Sequence, residues 1–154
     1  MAANAVGRAV VTAVPTLDTA PYAAGDILTN ACVAFEDIAA ADRGSFTINR
    51  FLVADAANVG APVELWLFDT DVLPGSNGSN QMFALNSNTV ATTLGVLGSG
   101  PYVSAGSNRL AVASNVGMPI KLSAGTTLYA VPVVRGAATY LADSLTFNLD
   151  VTRD

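Results

Sequence analysis

The strongest constraint on the fold is an alternation of apolar and polar residues with a period of two, over residues 144–152. The apolar positions are Leu145, Phe147, Leu149 and Val151, and the polar ones are Thr146, Asn148, Asp150 and Thr152. Because neighbouring side chains of a β-strand point to opposite faces, the pattern predicts a strand with one buried and one solvent-facing side. Asp150 is therefore expected to point outward.

Shorter apolar segments recur along the chain and are separated by turn signals at a spacing of roughly ten residues. They cover residues 6–14, 27–29, 31–38, 45–54, 63–68, 109–114, 119–122 and 126–135. Helical signals are confined to one or two turns, the clearest at residues 89–94, which Asn86 can cap. The sequence predicts an all-β protein, an antiparallel β-sandwich of jelly-roll type with about 8–10 strands.

Three local features refine this prediction. The inward phase slips at Asn49 and Arg50, which indicates a β-bulge in the longest strand. Residues 95–100, rich in glycine and followed by Pro101, are expected to interrupt regular structure. Pro132 lacks a backbone N–H, so its strand is expected at a sheet edge or a bulge.

The domain organisation is simple. The chain has 154 residues, a usual length for one domain, and no linker or change of composition divides it. We expect residues 1–20 to form an N-terminal strand or an extended arm lying on a neighbour. Residues 21–154 are expected to form a single β-sandwich domain.

Charge and hydropathy exclude several classes of partner. Charged residues make up 12% of the chain, and seven basic residues stand against twelve acidic ones without forming a basic cluster. Nucleic-acid binding is therefore not expected. The longest apolar run, at residues 128–134, is far shorter than the ~20 residues of a membrane span. The first residues lack the basic region of a signal peptide, so use without export is expected.

The side chains needed for common catalytic sites are scarce. The sequence contains no histidine, which excludes Ser-His and Cys-His nucleophilic pairs and Cys/His zinc sites. The single cysteine, Cys32, is expected to be a small buried apolar residue. We therefore predict no enzymatic activity, no cofactor and no small-molecule substrate, although spacing alone leaves a glycosidase pair of carboxylates open.

Asp69 and Asp71 are the weak candidates for a metal site. Two carboxylates two residues apart could supply oxygen ligands to calcium. Leu73, however, stands where the next ligand of an EF-hand loop would lie, and no acidic residue closes the loop. The two aspartates are better interpreted as the polar end of a strand, and no metal is predicted.

The segment V-E-L-W-L-F at residues 63–68 is apolar on both sides. Trp66 and Phe68 share the second face with Glu64, where an ordinary half-exposed strand would be polar. This second face must be covered by another part of the chain or by a neighbouring subunit. Trp66, the only tryptophan, is interpreted either as a core residue or as a stacking platform for a sugar.

Four segments together resemble a family of small bacteriophage virion proteins encoded near capsid genes. They are P-Y-A-A-G-D-I-L from Pro21, E-L-W-L-F-D-T-D from Glu64, L-Y-A-V-P-V-V-R-G-A-A-T-Y from Leu128, and the terminal L-T-F-N-L-D-V-T-R-D. The resemblance implies a capsid decoration or cement protein that works through contact area and has no enzymatic activity. It implies the major capsid protein and other copies of the chain as partners, in a cyclic oligomer that we expect to be a trimer. The protein would be made in the host cytoplasm and reside on the capsid surface.

The expected contact residues fall in three places along the chain. They are Val6, Arg8 and Val10 near the N-terminus, Trp66 and Phe68 in the aromatic strand, and Ser76, Asn77 and Asn80 in the polar loop that follows it. An alternative hypothesis is a carbohydrate-binding β-sandwich, such as the tip of a phage fibre. It predicts that Trp66 or the tyrosines Tyr22, Tyr102, Tyr129 and Tyr140 are exposed together beside Asn/Asp loops.

Overall fold

A computed structural model describes residues 7–73 and 80–154, and these residues confirm the predicted all-β fold. They form ten strands and one short helix. The strands are β1 Gly7–Ala13, β2 Val33–Phe35, β3 Ser45–Asp55, β4 Val63–Phe68, β5 Gly95–Gly98, β6 Tyr102–Ala105, β7 Asn108–Ala113, β8 Met118–Lys121, β9 Leu128–Val134 and β10 Leu145–Arg153; the helix is α1 Ser87–Ala91.

The strands form two antiparallel sheets. The first has the order β1-β10-β3-β7-β6, with β8 also paired to β3, and the second has the order β2-β9-β4-β5. Strands β7 and β8 pair with successive parts of β3, so they are two halves of one interrupted strand. If these halves are counted as one strand and β6 is left out, eight strands remain. When these eight are numbered again in chain order, the first sheet has the order 1-8-3-6 and the second has the order 2-7-4-5. This is the strand order of a jelly roll.

The main core lies between the two sheets. All four apolar residues of the C-terminal pattern are fully buried in β10, as its alternation predicted. The rings of Phe147 and Phe51, on neighbouring strands, pack with their centroids 6.0 Å apart. The inward residues of β4, Val63, Leu65 and Leu67, meet this core from the second sheet.

The predicted β-bulge is present in β3. Arg50 pairs with Asp150 and Ile48 pairs with Val151, which leaves Asn49 as the extra residue. The carbonyl oxygen of Asn49 accepts a hydrogen bond from the backbone N–H of Val116 at 3.0 Å. The bulge lets residues on both sides of the phase slip point into the same core.

The prediction of a chain break over residues 95–100 is wrong for its first part, which forms β5. A Cβ atom on Gly95 would lie 2.6 Å from the sulfur of Met118, so the glycine lets the strand approach that side chain. The helix predicted at residues 89–94 lies slightly earlier, at Ser87–Ala91. Its predicted cap is confirmed, because the side chain of Asn86 accepts a hydrogen bond from the N–H of Thr89 at 2.9 Å.

The sequence predicts that Pro132 lies at a sheet edge or a bulge. Its strand β9 lies between β2 and β4 and pairs with β4 through Pro132 without a register shift, so it is neither an edge strand nor bulged there. Pro132 falls beyond the short β2, opposite a segment that forms only isolated bridges instead of the predicted strand at residues 27–29. Leu28 donates its N–H to the Pro132 carbonyl at 2.9 Å, but Pro132 has no N–H to return. The hydroxyl of Tyr22 donates to the Leu28 carbonyl instead, at 2.9 Å.

Candidate interaction surfaces

The outer face of the second sheet is covered by the chain itself. Phe68 is fully buried in a second apolar cluster with Ile27, Leu73, Val131 and Val133. Phe83 and Leu85, from the connection between β4 and β5, pack against this cluster. The aromatic face of residues 63–68 is thus covered within the subunit. Phe68, expected at an interface, lies in the interior because this connection folds back over β4.

Trp66 lies beside this cluster and is half-buried. Its ring packs against Phe83 with a centroid distance of 5.1 Å, and its Nε1 donates to Glu64 Oε2 at 3.2 Å. The same Glu64 oxygen accepts from Arg135 Nη2 at 2.6 Å. The hydrogen bond from Arg135, with that from Trp66 in addition, lowers the pKa of Glu64 below its ordinary value. Trp66 is therefore held by packing on one side and an ion pair on the other.

The tyrosines do not form an exposed platform. Tyr22 and Tyr140 are buried with their ring centroids 6.2 Å apart, and Tyr102 and Tyr129 are half-buried. Burial raises the pKa of Tyr102 to about 12, and burial also raises the pKa of Tyr140. The arrangement required by the carbohydrate-binding hypothesis, several aromatic rings exposed together, is not found for these residues.

The outer face of the first sheet carries an apolar patch. It consists of Leu52, Ala54, Val103, Leu110 and Val112, which meet across three neighbouring strands. Leu52 lies opposite Val112, Ala54 opposite Leu110, and Leu110 opposite Val103. Val103 is 67% exposed and Leu110 is 36% exposed. The patch contains no charged side chain and lies in the middle and at one edge of the sheet.

A shallow cavity of about 240 Å³ borders the apolar patch, and it shares Ala54 and Leu110 with the patch. Arg109, Asp143 and Ser144 supply polar groups on its other side. The patch thus has a polar rim on this side, which is the composition of many protein–protein contact surfaces.

The other half of the same outer face contains a charged cluster around Asp150. Arg8 Nε donates to Asp150 Oδ1 at 2.9 Å, Arg8 Nη2 contacts the second carboxylate oxygen, and Arg50 Nη2 lies 3.8 Å from it. The hydrogen bond from Arg8, together with the charges of both arginines, lowers the pKa of Asp150. Asp150 points outward, as the alternation predicts, but these side chains leave it only 1% exposed.

Asp69 and Asp71 each accept a hydrogen bond from a backbone N–H group. Asp69 accepts a hydrogen bond from the N–H of Ser123 at 3.3 Å, and Asp71 accepts from that of Leu73 at 3.0 Å. Within residues 7–73 and 80–154, no three acidic or cysteine side chains lie close enough to hold an ion. Burial raises the pKa of the Cys32 thiol to about 12, so this half-buried thiol is a weak nucleophile at neutral pH.

The remaining candidate residues lie apart from one another. Val10 is 57% exposed on β1, and the side chain of Arg8 is engaged by Asp150. Asn80 Nδ2 donates to Asp18 Oδ2 at 3.1 Å. Val6, Ser76 and Asn77 lie outside the described residues. Sequence reasoning missed the apolar patch, although Leu110 and Leu52 occupy the outward phase of predicted strands.

Comparisons with known proteins do not place the chain in a family. The sequence matches no family model and no curated protein. Over the described ranges, no helix is long and apolar enough to cross a membrane.

Proposed function

We propose that the protein is a structural component of a bacteriophage virion, which decorates or cements the capsid through oligomeric surface contacts. The observation that carries the proposal is the apolar patch on the outer face of the first sheet. The corresponding face of the second sheet is covered by its own chain, whereas the described chain leaves Val103 and Leu110 in solvent. The resemblance to small virion proteins supplies the capsid as the partner.

The chemistry of the patch supports a large protein partner over a small ligand. Five aliphatic side chains on a sheet face offer contact area and no directional polar groups. Fully burying one Val or Leu side chain is worth about 1.5–3 kcal/mol, so several partly exposed ones can sustain a specific contact. The polar rim at Arg109 and Asp143 would fix the orientation of the major capsid protein on this surface.

The proposal can be tested with heads of the phage that encodes the protein, prepared without it. Wild-type protein should bind such heads in copy numbers related to the capsid lattice. Val103→Asp places a charge in the patch and should lower the bound amount by about tenfold or more, because a buried unpaired charge is costly. Sedimentation of the heads followed by quantitative gel analysis measures the bound fraction.

Val90→Asp is the matched control, because Val90 is 53% exposed but lies on α1, away from the patch. This variant should bind as the wild type does. Failure of wild-type protein to bind heads, or equal losses for Val103→Asp and Val90→Asp, would contradict the proposal. Circular dichroism of both variants checks that each remains folded.

A further inference from the structure

The two sheets leave five strands with an unpaired edge, namely β1, β6 and β8 in the first sheet and β2 and β5 in the second. Of these, β1 is the one best suited to pair with another strand. It has seven residues, whereas β2 has three and β5, β6 and β8 have four each. Natural edges are often protected by lysine, proline or a bulge. β1 contains none of these, and in the described part of the chain its only strand partner is β10.

The side chains of β1 leave its free edge accessible. The one charged residue, Arg8, reaches across the sheet towards Asp150 on β10, which directs its guanidinium away from that edge. Val10, in the middle of the strand, is 57% exposed on the outer face. Ala9 and Val11 point inward and pack against the main core. An unpaired strand of this kind can accept a further strand by β-augmentation.

We propose that the edge of β1 pairs with β1 of a second copy, antiparallel and about a two-fold axis at Val10. In this register Val10 faces Val10 of the second copy, Ala9 faces Val11, and Arg8 faces Thr12. No like charges stand opposite each other, because the only charged residue of the strand faces a threonine. The strand is therefore complementary to itself, as a two-fold interface requires.

This pairing deepens the proposed function and rests on it only for the capsid partner. A two-fold axis perpendicular to the sheet keeps both outer faces on the same side and creates a sheet of order β6-β7-β3-β10-β1-β1-β10-β3-β7-β6. The dimer thus presents two apolar patches on one surface, with the two copies of β7 about 34 Å apart at a strand spacing of about 4.8 Å. Such a dimer could bind two adjacent capsid subunits at once.

The inference also bears on the oligomeric state. The virion-protein resemblance led us to expect a trimer, whereas an isologous contact through β1 predicts a dimer. Native mass spectrometry or sedimentation velocity on the full chain, without capsids, should show a dimer whose fraction rises with concentration. A wild-type protein that stays monomeric at all concentrations, or that forms only trimers, would overturn the pairing.

Disulfide trapping tests the register. In a Cys32→Ala background, which removes the only native cysteine, Val10→Cys should form an intermolecular disulfide under mild oxidation. Directly opposite residues of antiparallel strands have Cα atoms about 4.5–5.5 Å apart, which a disulfide can span. Thr12→Cys is the matched control on the same strand and face, since the two copies of Thr12 would be about 14 Å apart. Equal trapping of both variants, or of neither, would place the interface elsewhere.

A charge variant separates this pairing from capsid binding. Val10→Lys places like charges opposite each other and should raise the dissociation constant of the dimer by about tenfold or more. Val103→Lys makes the same change at an exposed valine in the apolar patch and should leave dimerisation unchanged. Weaker dimerisation of Val10→Lys with unchanged dimerisation of Val103→Lys supports the β1 contact. Weaker dimerisation of Val103→Lys with unchanged dimerisation of Val10→Lys would overturn it. Failure of head binding with dimerisation intact would count against the capsid proposal alone.

Discussion

The outer faces of the two sheets differ in what covers them. Both carry apolar side chains, but Phe68 on the second sheet is fully buried, whereas Val103 on the first is 67% exposed. The connection between β4 and β5 covers the second sheet, and in the described chain no equivalent connection crosses the first. An outward-pointing apolar side chain therefore contributes to the stability of the fold in the second sheet, whereas in the first sheet it is available for binding.

The largest expected effect concerns the covered face. Phe68→Ala should lower the free energy of unfolding by about 3–5 kcal/mol, because it removes a large, fully buried side chain from the second cluster and leaves a cavity. Chemical denaturation followed by the fluorescence of Trp66, which lies beside this cluster, measures the change. The same substitution should alter the emission of the folded state, because the packing around the indole loosens.

Val103→Ala is the control on the outer face of the first sheet, which no connection of the described chain covers. Its side chain is mostly in solvent, so the free energy of unfolding should change by no more than about 0.5 kcal/mol. Comparable losses for Phe68→Ala and Val103→Ala would mean that the two faces do not differ in the way described. A stable Phe68→Ala variant would show that the connection covers the sheet without contributing to its stability.

The second expected effect concerns the backbone of the covered sheet. Tyr22→Phe should lower the free energy of unfolding by about 1–3 kcal/mol. The substitution removes the hydroxyl that donates a hydrogen bond to the Leu28 carbonyl oxygen, which has no N–H partner on Pro132. Thermal unfolding of the variant measures this loss. Tyr140→Phe is the matched control, since the buried Tyr140 hydroxyl has no hydrogen-bond partner among the described residues. Its removal should be neutral or slightly stabilising, and equal losses in both variants would contradict the role given to Tyr22.

The sequence was informative wherever the determining interactions are local. Period-two alternation located β10, the phase slip located the bulge at Asn49, and Asn86 marked the start of the helix. Each of these features is determined by residues a few positions apart. The prediction failed at β5, where Gly95 looks like a chain break in isolation. Position 95 holds a glycine because a side chain there would clash with Met118 on β8. This contact joins residues far apart in the sequence, so no local pattern could predict it.

The surfaces could not be predicted for the same reason. Trp66 and Phe68 gave a clear signal that a second face had to be covered, but only the fold shows that the connection after β4 covers it. The apolar patch, by contrast, gives no signal in the sequence. Leu52, Val103 and Leu110 are unremarkable in their own strands, and they become a surface feature only when β3, β7 and β6 are adjacent. Asp150 is similar, since Arg8 lies 142 positions away in the chain.

The smallest expected effect on stability concerns Asp150, on the outer face of the first sheet, and it depends on pH. The folded state lowers the pKa of Asp150 beneath its unfolded value of about 3.9. The Arg8 contact therefore stabilises the fold fully above that unfolded value, and its contribution is lost as the pH falls towards the folded pKa. Because the Arg8 side chain is 72% exposed and solvent screens its charge, Asp150→Asn should lower the stability at neutral pH by less than Tyr22→Phe does. Denaturation curves should thus separate wild type and variant at pH 7 and converge in acid; a constant difference at every pH would show that the charge of Asp150 does not contribute.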